Sequence, residues 1–167
     1  MAPVPPARFL TDASLDYLAR RLRFLGYDVA TLAGARLERL FEAARREGRI
    51  VLTLSARHPR RFADVGAVVV PRQDPVASVR ALADAFEPSG APFTRCPRCN
   101  LALERRAPAE AAGDAPAEVV RRIPAIHRCP GCRQWFWHGS HVDRVREWLA
   151  RAVGHEVPAP PSDPARA

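Results

Sequence analysis

A chain of 167 residues with 47% apolar content can hold one moderate domain, or one domain with a small metal-stapled module. No apolar run reaches membrane-helix length and residues 1–7 lack a signal-type hydrophobic stretch, so the expected setting is the reducing cytoplasm. The formal net charge is +8, spread over both halves: 14 Arg against 10 acids in 1–90, and 12 Arg against 8 acids in 91–167, with no Lys anywhere. Such basicity admits nucleic acid as a partner, and the planar arginine fork suits phosphate, but neither point decides a function.

In chain order, Phe9-Leu10-Thr11 reads as a short apolar strand. Leu15, Leu18, Ala19, Leu22 and Leu25 then recur at helical spacing, with Arg20, Arg21 and Arg23 off that face and Gly26 where the helix should end. A second strand is expected over 28–32, and a second helix carries Leu37, Leu40, Phe41 and Ala44 before Gly48. The run Ile50-Val51-Leu52-Thr53-Leu54 is nearly all apolar, as in a parallel strand buried on both faces. After a short Arg-rich stretch, 67–70 reads as a fourth strand, and Asp74-Pro75 opens a helix carrying Val76, Val79, Leu82, Ala83 and Phe86. Alternating strands and helices over 8–88 imply an α/β domain with a mostly parallel sheet flanked by helices.

The stretch Pro88-Ser89-Gly90-Ala91-Pro92 reads as a linker to a second unit over 93–152. That unit contains an Ala/Glu/Pro-rich insert (107–118) and ends in an amphipathic helix over 141–152, with Val142, Val145, Trp148 and Leu149 inward. Residues 1–7 and 154–167 are expected to be disordered tails.

All four cysteines fall in two Cys-x-x-Cys pairs, Cys96-Pro97-Arg98-Cys99 and Cys129-Pro130-Gly131-Cys132. A Cys-x-x-Cys turn sets two sulfurs on one side of a knuckle, and two knuckles supply the four thiolates of a closed, structural zinc site. The stretch between the pairs (100–128) is longer than the usual spacing of about 15–20 residues, so an inserted loop or short helix is expected. Two disulfides are the competing reading, which a reducing compartment disfavours. His127, His138 and His141 are surplus to four cysteines and fit capping or supporting roles. Trp135-Phe136-Trp137 with Arg128 and Arg133 is either a surface on which bases stack or packing material for a small module, with alternate rings against the terminal helix.

In open parallel sheets ligands gather at the carboxyl ends of the strands. There the chain places Asp12 after the first strand, Glu38 in the first turn of the second helix, Ser55 after the third strand and Asp74 after the fourth, with Asp28 at the opposite end. Converging carboxylates could hold Mg²⁺ or Mn²⁺. Each acid also has a plainer role: Asp12 and Asp74 as helix N-caps, Glu38 as a complement to the helix dipole, Asp28 in a turn. Arg57, Arg60 and Arg61 fit phosphate contacts or a solvated run equally well.

Taken together, Phe-Leu-Thr-Asp-Ala-Ser-Leu from Phe9, Leu-Ala-Arg-Arg-Leu-Arg-Phe-Leu-Gly-Tyr-Asp (18–28), Glu-Gly-Arg-Ile-Val-Leu-Thr (47–53), the two cysteine pairs and Trp-Phe-Trp-His-Gly-Ser-His (135–141) resemble the Mut-seven C-terminal ribonuclease domain family. The resemblance implies a PIN-like α/β fold fused to a C-terminal zinc ribbon, and RNA cleavage supported by Mg²⁺ or Mn²⁺ on strand-end acids. By position, Asp12 matches the first acidic ligand and Glu38 falls where a second acid usually stands. Where members of the family typically read Leu-Thr-Arg-Asp, this chain reads Leu-Thr-Leu-Ser (52–55), so Ser55 replaces an acid with a neutral hydroxyl. Three functions follow: a metal-dependent ribonuclease acting on single-stranded RNA, an RNA-binding module without turnover, and a protein-interaction scaffold with a purely structural zinc.

Overall fold

The computed structural model describes residues 6–161; most of the expected N-terminal tail (1–5) and the last six residues (162–167) lie outside the described residues. Four strands form the first sheet: β1 (Arg8–Thr11), β2 (Asp28–Thr31), β3 (Ile50–Thr53) and β4 (Ala67–Val69). All neighbours are parallel and the order is β2-β1-β3-β4. The chain leaves β1 on one side to form β2 and returns on the other to form β3, so the order reverses between β1 and β3.

The sheet is buried on both faces, and the two-residue strand period divides its side chains between two cores. Leu10 and Val51 face α2 (Leu37–Glu47), where they pack with Leu40, Phe41, Ala44 and Val65. Phe9, Val29 and Leu52 face the opposite layer, with Leu15, Leu18, Leu22, Val79 and Leu82. That layer contains α1 (Asp16–Phe24) and α4 (Pro75–Ala85). Between β3 and β4 the short Arg-rich stretch forms a five-residue helix, α3 (Arg57–Arg61).

The second sheet is antiparallel: β5 (Glu104–Arg106), β6 (Ile126–Arg128) and β7 (Trp135–Phe136). The insert between β5 and β6 folds into a 3₁₀ turn (Pro108–Ala111) and α5 (Ala117–Arg122). Trp135 and Trp137 pack against this insert, beside Ala111, Ala115 and Ile126, while Phe136 sits on the cysteines. The terminal helix, α6 (Ser140–Val153), packs along α4 and contributes Leu149 and Ala152 to the core that holds α1 and α4. Val157, within the expected tail, joins the same core, its carbonyl accepting from Arg146, while His155 and Glu156 before it stay exposed. Gly26 ends the first helical segment as the pattern anticipates, with a φ of +93°, and its lack of a Cβ lets the backbone of Gly90 approach closely.

β2 is an edge strand, and the first cysteine knuckle covers it. The side chain of Asn100 accepts from the Val29 amide (3.0 Å) and donates to Asp28 (2.7 Å). Arg23 donates to the Val29 carbonyl (2.8 Å), Thr31 Oγ1 (2.7 Å) and the carbonyls of Pro97 (2.7 Å) and Arg98 (3.2 Å). Helical spacing put Arg23 off the apolar face, yet it is 1% exposed. The knuckle roofs it over, a contact between segments far apart in the chain that periodicity within one helix does not register. Capping the edge in this way protects polar groups that would otherwise pair with another chain.

Candidate metal centre and strand-end site

The cysteine site is built from two matching turns. In each, the residue after the second cysteine adopts a left-handed backbone (Asn100 φ 64°, Arg133 φ 62°). Its amide donates to the carbonyl of the first cysteine, Asn100 to Cys96 and Arg133 to Cys129, both at 2.9 Å. Asn tolerates that conformation; Arg at 133 does so at greater cost. Gly131 sits against Leu101 so closely that a Cβ would lie 2.7 Å from Leu101 Cδ1.

These turns bring Cys96, Cys99, Cys129 and Cys132 together with all four sulfurs within 4.8 Å of one another. Cys96 and Cys132 Sγ are 3.7 Å apart, far beyond the bonding distance of a disulfide. A tetrahedral zinc with Zn–S of about 2.3 Å has sulfurs about 3.8 Å apart, so the donor set fits zinc in spacing and chemistry. All four are free thiols, and Cys96 and Cys129 are buried. Burial pushes the Cys96 thiol up to about 12. Burial also opposes ionisation of Cys132, but the Gln134 amide and the other three cysteines draw it down to about 7. Four thiols so close cannot all ionise alone; a bound divalent cation would supply the missing charge.

At the carboxyl edge of the parallel sheet, Asp12 follows β1 and Ser55 follows β3, on either side of the reversal in strand order where such sheets bind ligands. Asp12 is also an N-cap: its Oδ1 accepts from the amide (2.8 Å) and hydroxyl (2.5 Å) of Ser14. Its Oδ2 is engaged by no amide or side chain among the described residues. Glu38 lies in the first turn of α2 as expected, and it pairs with Arg61 at 2.5 Å. Its own backbone amide, with Arg61 beside it, holds this exposed carboxyl below the usual range. Asp74 caps α4 through the Ala77 amide (2.8 Å), and Asp64 pairs with Arg45 (2.6 Å). Asp28 lies at the amino edge, bound to Arg49 (2.7 Å) and Asn100.

Among the remaining candidates, Arg57, Arg60 and Arg61 lie on α3 and are exposed, though Arg61 is committed to Glu38. Arg128 stacks over Trp135 at 4.8 Å and donates to the Arg133 carbonyl (3.3 Å), so these two adjoin the second knuckle. Trp135 also donates to Asp114 (2.9 Å). One residue at the strand-end site escaped the sequence reading: His58, whose Nδ1 lies 2.6 Å from Thr53 Oγ1 and whose ring meets Phe41 edge-on. Its signal was position alone, just beyond Ser55 at the end of β3.

The family model that matches this chain is the Mut7-C RNAse domain, over residues 7–149. The chain belongs to the Mut7-C RNAse domain family. No curated protein and no solved structure matches it. The Mut7-C match covers the parallel sheet, both knuckles and most of α6. It supports ribonuclease-type function and RNA as the substrate class. None of the helices among the described residues is long and apolar enough to cross a membrane.

The Mut7-C resemblance also implies a hard divalent cation at the strand ends. Among the described residues, the four cysteines are the only cluster of three or more such ligands, so no cage of carboxylates is preformed. Mg²⁺ does not require one: it keeps several waters and often takes one or two carboxylates plus substrate phosphates. Asp12, with Oδ2 open, fits that kind of substrate-completed site.

Proposed function

We propose that this protein is a PIN-like ribonuclease that hydrolyses phosphodiester bonds of single-stranded RNA, with its four cysteines holding a structural zinc. The observation that carries this reading is Asp12, placed beside the strand-order reversal of a chain whose residues 7–149 match a ribonuclease family. Asp12 and Glu38 would hold Mg²⁺ or Mn²⁺, which when bound polarises phosphoryl oxygen and activates water. Glu38 is shared with Arg61, so it becomes available as phosphate draws Arg61 away. Arg57, Arg60 and Arg61 on one side, and Arg128 and Arg133 at the second knuckle, supply phosphate contacts. A zinc held by four thiolates has no open position for water, which makes it a scaffold rather than a catalyst. Free thiols in that role suit the cytoplasm.

The test compares wild type with Asp12→Asn on labelled single-stranded RNA, with Mn²⁺, with Mg²⁺ and with neither. Asn keeps the cap oxygen that Ser14 uses but removes the charge, so the fold is expected to survive while metal-dependent cleavage falls roughly 100-fold or more, to about the background rate. Cleavage retained by Asp12→Asn would sink the proposal. Ser55 favours a second reading, RNA binding without turnover. That reading is the outcome if neither protein cleaves while both bind RNA in a salt-sensitive manner.

A further inference from the structure

Most arginines near the parallel sheet are committed. Arg23 is buried in a polar network, half-buried Arg49 is bound to Asp28, Arg45 and Arg61 pair with Asp64 and Glu38, and Arg80 grips the carbonyls of Arg151 and Ala152. Three are not, one at the N-cap of α2 and two on the helix. Arg39 enters no hydrogen bond or ion pair among the described residues, Arg36 is linked to Glu38 only through its charge, and Arg46 has one long contact with Glu47 at 3.5 Å. All three line one cleft of about 620 Å³, with the loop 32–35 along its side and Glu42 its one acid.

Positions 36, 39 and 46, with the small Ala43 between, fall on one helical stripe at spacings of three, four and three. At about 1.5 Å rise per residue, the stripe runs roughly 15 Å from the N-cap of α2 to its last turn. Its upper end adjoins the strand-end site directly. The amide of Leu32, in the cleft wall, donates to the carbonyl of Thr11 at 2.8 Å, and Asp12 is the next residue.

We propose that this cleft is the track for the phosphodiester backbone of single-stranded RNA leading to Asp12. The inference rests on the RNA reading given under Proposed function, and adds to it where the strand lies. Three uncommitted guanidinium groups in a row offer forks to successive phosphates, and the contact is with backbone alone, so it carries no base preference.

The experiment measures binding of a labelled single-stranded oligouridylate to the full chain without added divalent metal, between about 50 and 200 mM salt. The triple variant Arg36→Gln/Arg39→Gln/Arg46→Gln should lose affinity roughly tenfold or more at low salt. Its slope of log K against log salt should become shallower by about 2, since three phosphate contacts on a single strand contribute about 0.7 each. Glu42→Gln provides the opposite sign: removing the cleft's acid should tighten binding roughly two- to fourfold, a gain that misfolding does not mimic. Wild-type affinity and slope in the triple variant overturn the assignment, as does unchanged or weaker binding by Glu42→Gln. If wild type itself fails to bind, the RNA reading falls and this inference falls with it; if only the variants disagree, the RNA reading stands and the track lies elsewhere.

Discussion

Arg23 should matter more to this protein than any exposed arginine, and Arg23→Met isolates the reason. The guanidinium is 1% exposed and makes four hydrogen bonds of 2.7–3.2 Å, two to the edge of β2 and two to carbonyls inside the first knuckle. Met fills much of the same volume but leaves those acceptors buried and unmatched. Burial lowers the pKa of Arg23, while Asp16 and the nearby Cys96 and Cys99 raise it. The charge therefore also answers the negative charge that four metal-bound thiolates would carry. Removing one partner from a buried ionic cluster costs about 3–5 kcal/mol. At roughly 2–4 °C per kcal/mol for a chain of this size, the melting temperature should fall by roughly 10 °C. Calorimetry would measure it, and a chelator assay should show faster zinc release from the same variant. Arg23→Lys keeps the charge without the fork and should fall between the two. An Arg23→Met protein that melts within about 1 °C of wild type, with unchanged zinc release, would refute the clamp.

Asp28→Asn should destabilise the fold by about 2 kcal/mol at neutral pH, read by urea unfolding. Burial works against the Asp28 carboxylate, but Arg49 and Asn100 hold its pKa below the ordinary value. Its contribution is thus present above the unfolded pKa near 4 and is lost as pH falls through the lower folded value, so the variant should lack part of the wild-type acid transition. Cys96→Ser should release zinc and loosen residues 93–136 together with the edge of β2, visible by metal analysis and amide exchange; stoichiometric zinc in that variant would show the four-thiolate assignment to be wrong. Gly26→Ala should cost at least about 2 kcal/mol by thermal melting. Its Cβ would lie 1.9 Å from the Gly90 carbonyl oxygen, at a backbone angle that disfavours side chains.

Local chemistry carried much of this protein into view. The apolar runs at 9–11 and 50–54, the periodic leucines of α1, the glycines at 26 and 48 and the Asp74-Pro75 helix start all act within a few residues, so each was legible in order along the chain. The cysteine pairs were legible for a different reason. Metal chemistry requires four sulfurs in one place, so two Cys-x-x-Cys turns imply their own long-range contact. Asp12 could be placed at a strand end because the strand ends there.

What depends on long-range packing could not be read off. Arg23 sits on the polar side of its own helix and is buried only because the first knuckle, from a distant part of the chain, closes over it. Helix α6 follows the ribbon in sequence but packs on α4, where its apolar face finds the larger surface, and Val157 is buried behind it. Glu38 and Arg61 are far apart in sequence, and only the placement of α2 and α3 makes the acid a salt-bridge partner. The sequence by itself determined the parallel α/β unit and the four-cysteine cluster, because each follows from local pattern or ligand chemistry. The tertiary structure alone decided the strand order that sets the strands before Asp12 and Ser55 side by side, the knuckle that seals β2, and which arginines line the α2 cleft, because those depend on which surfaces remain to be covered once the elements have formed.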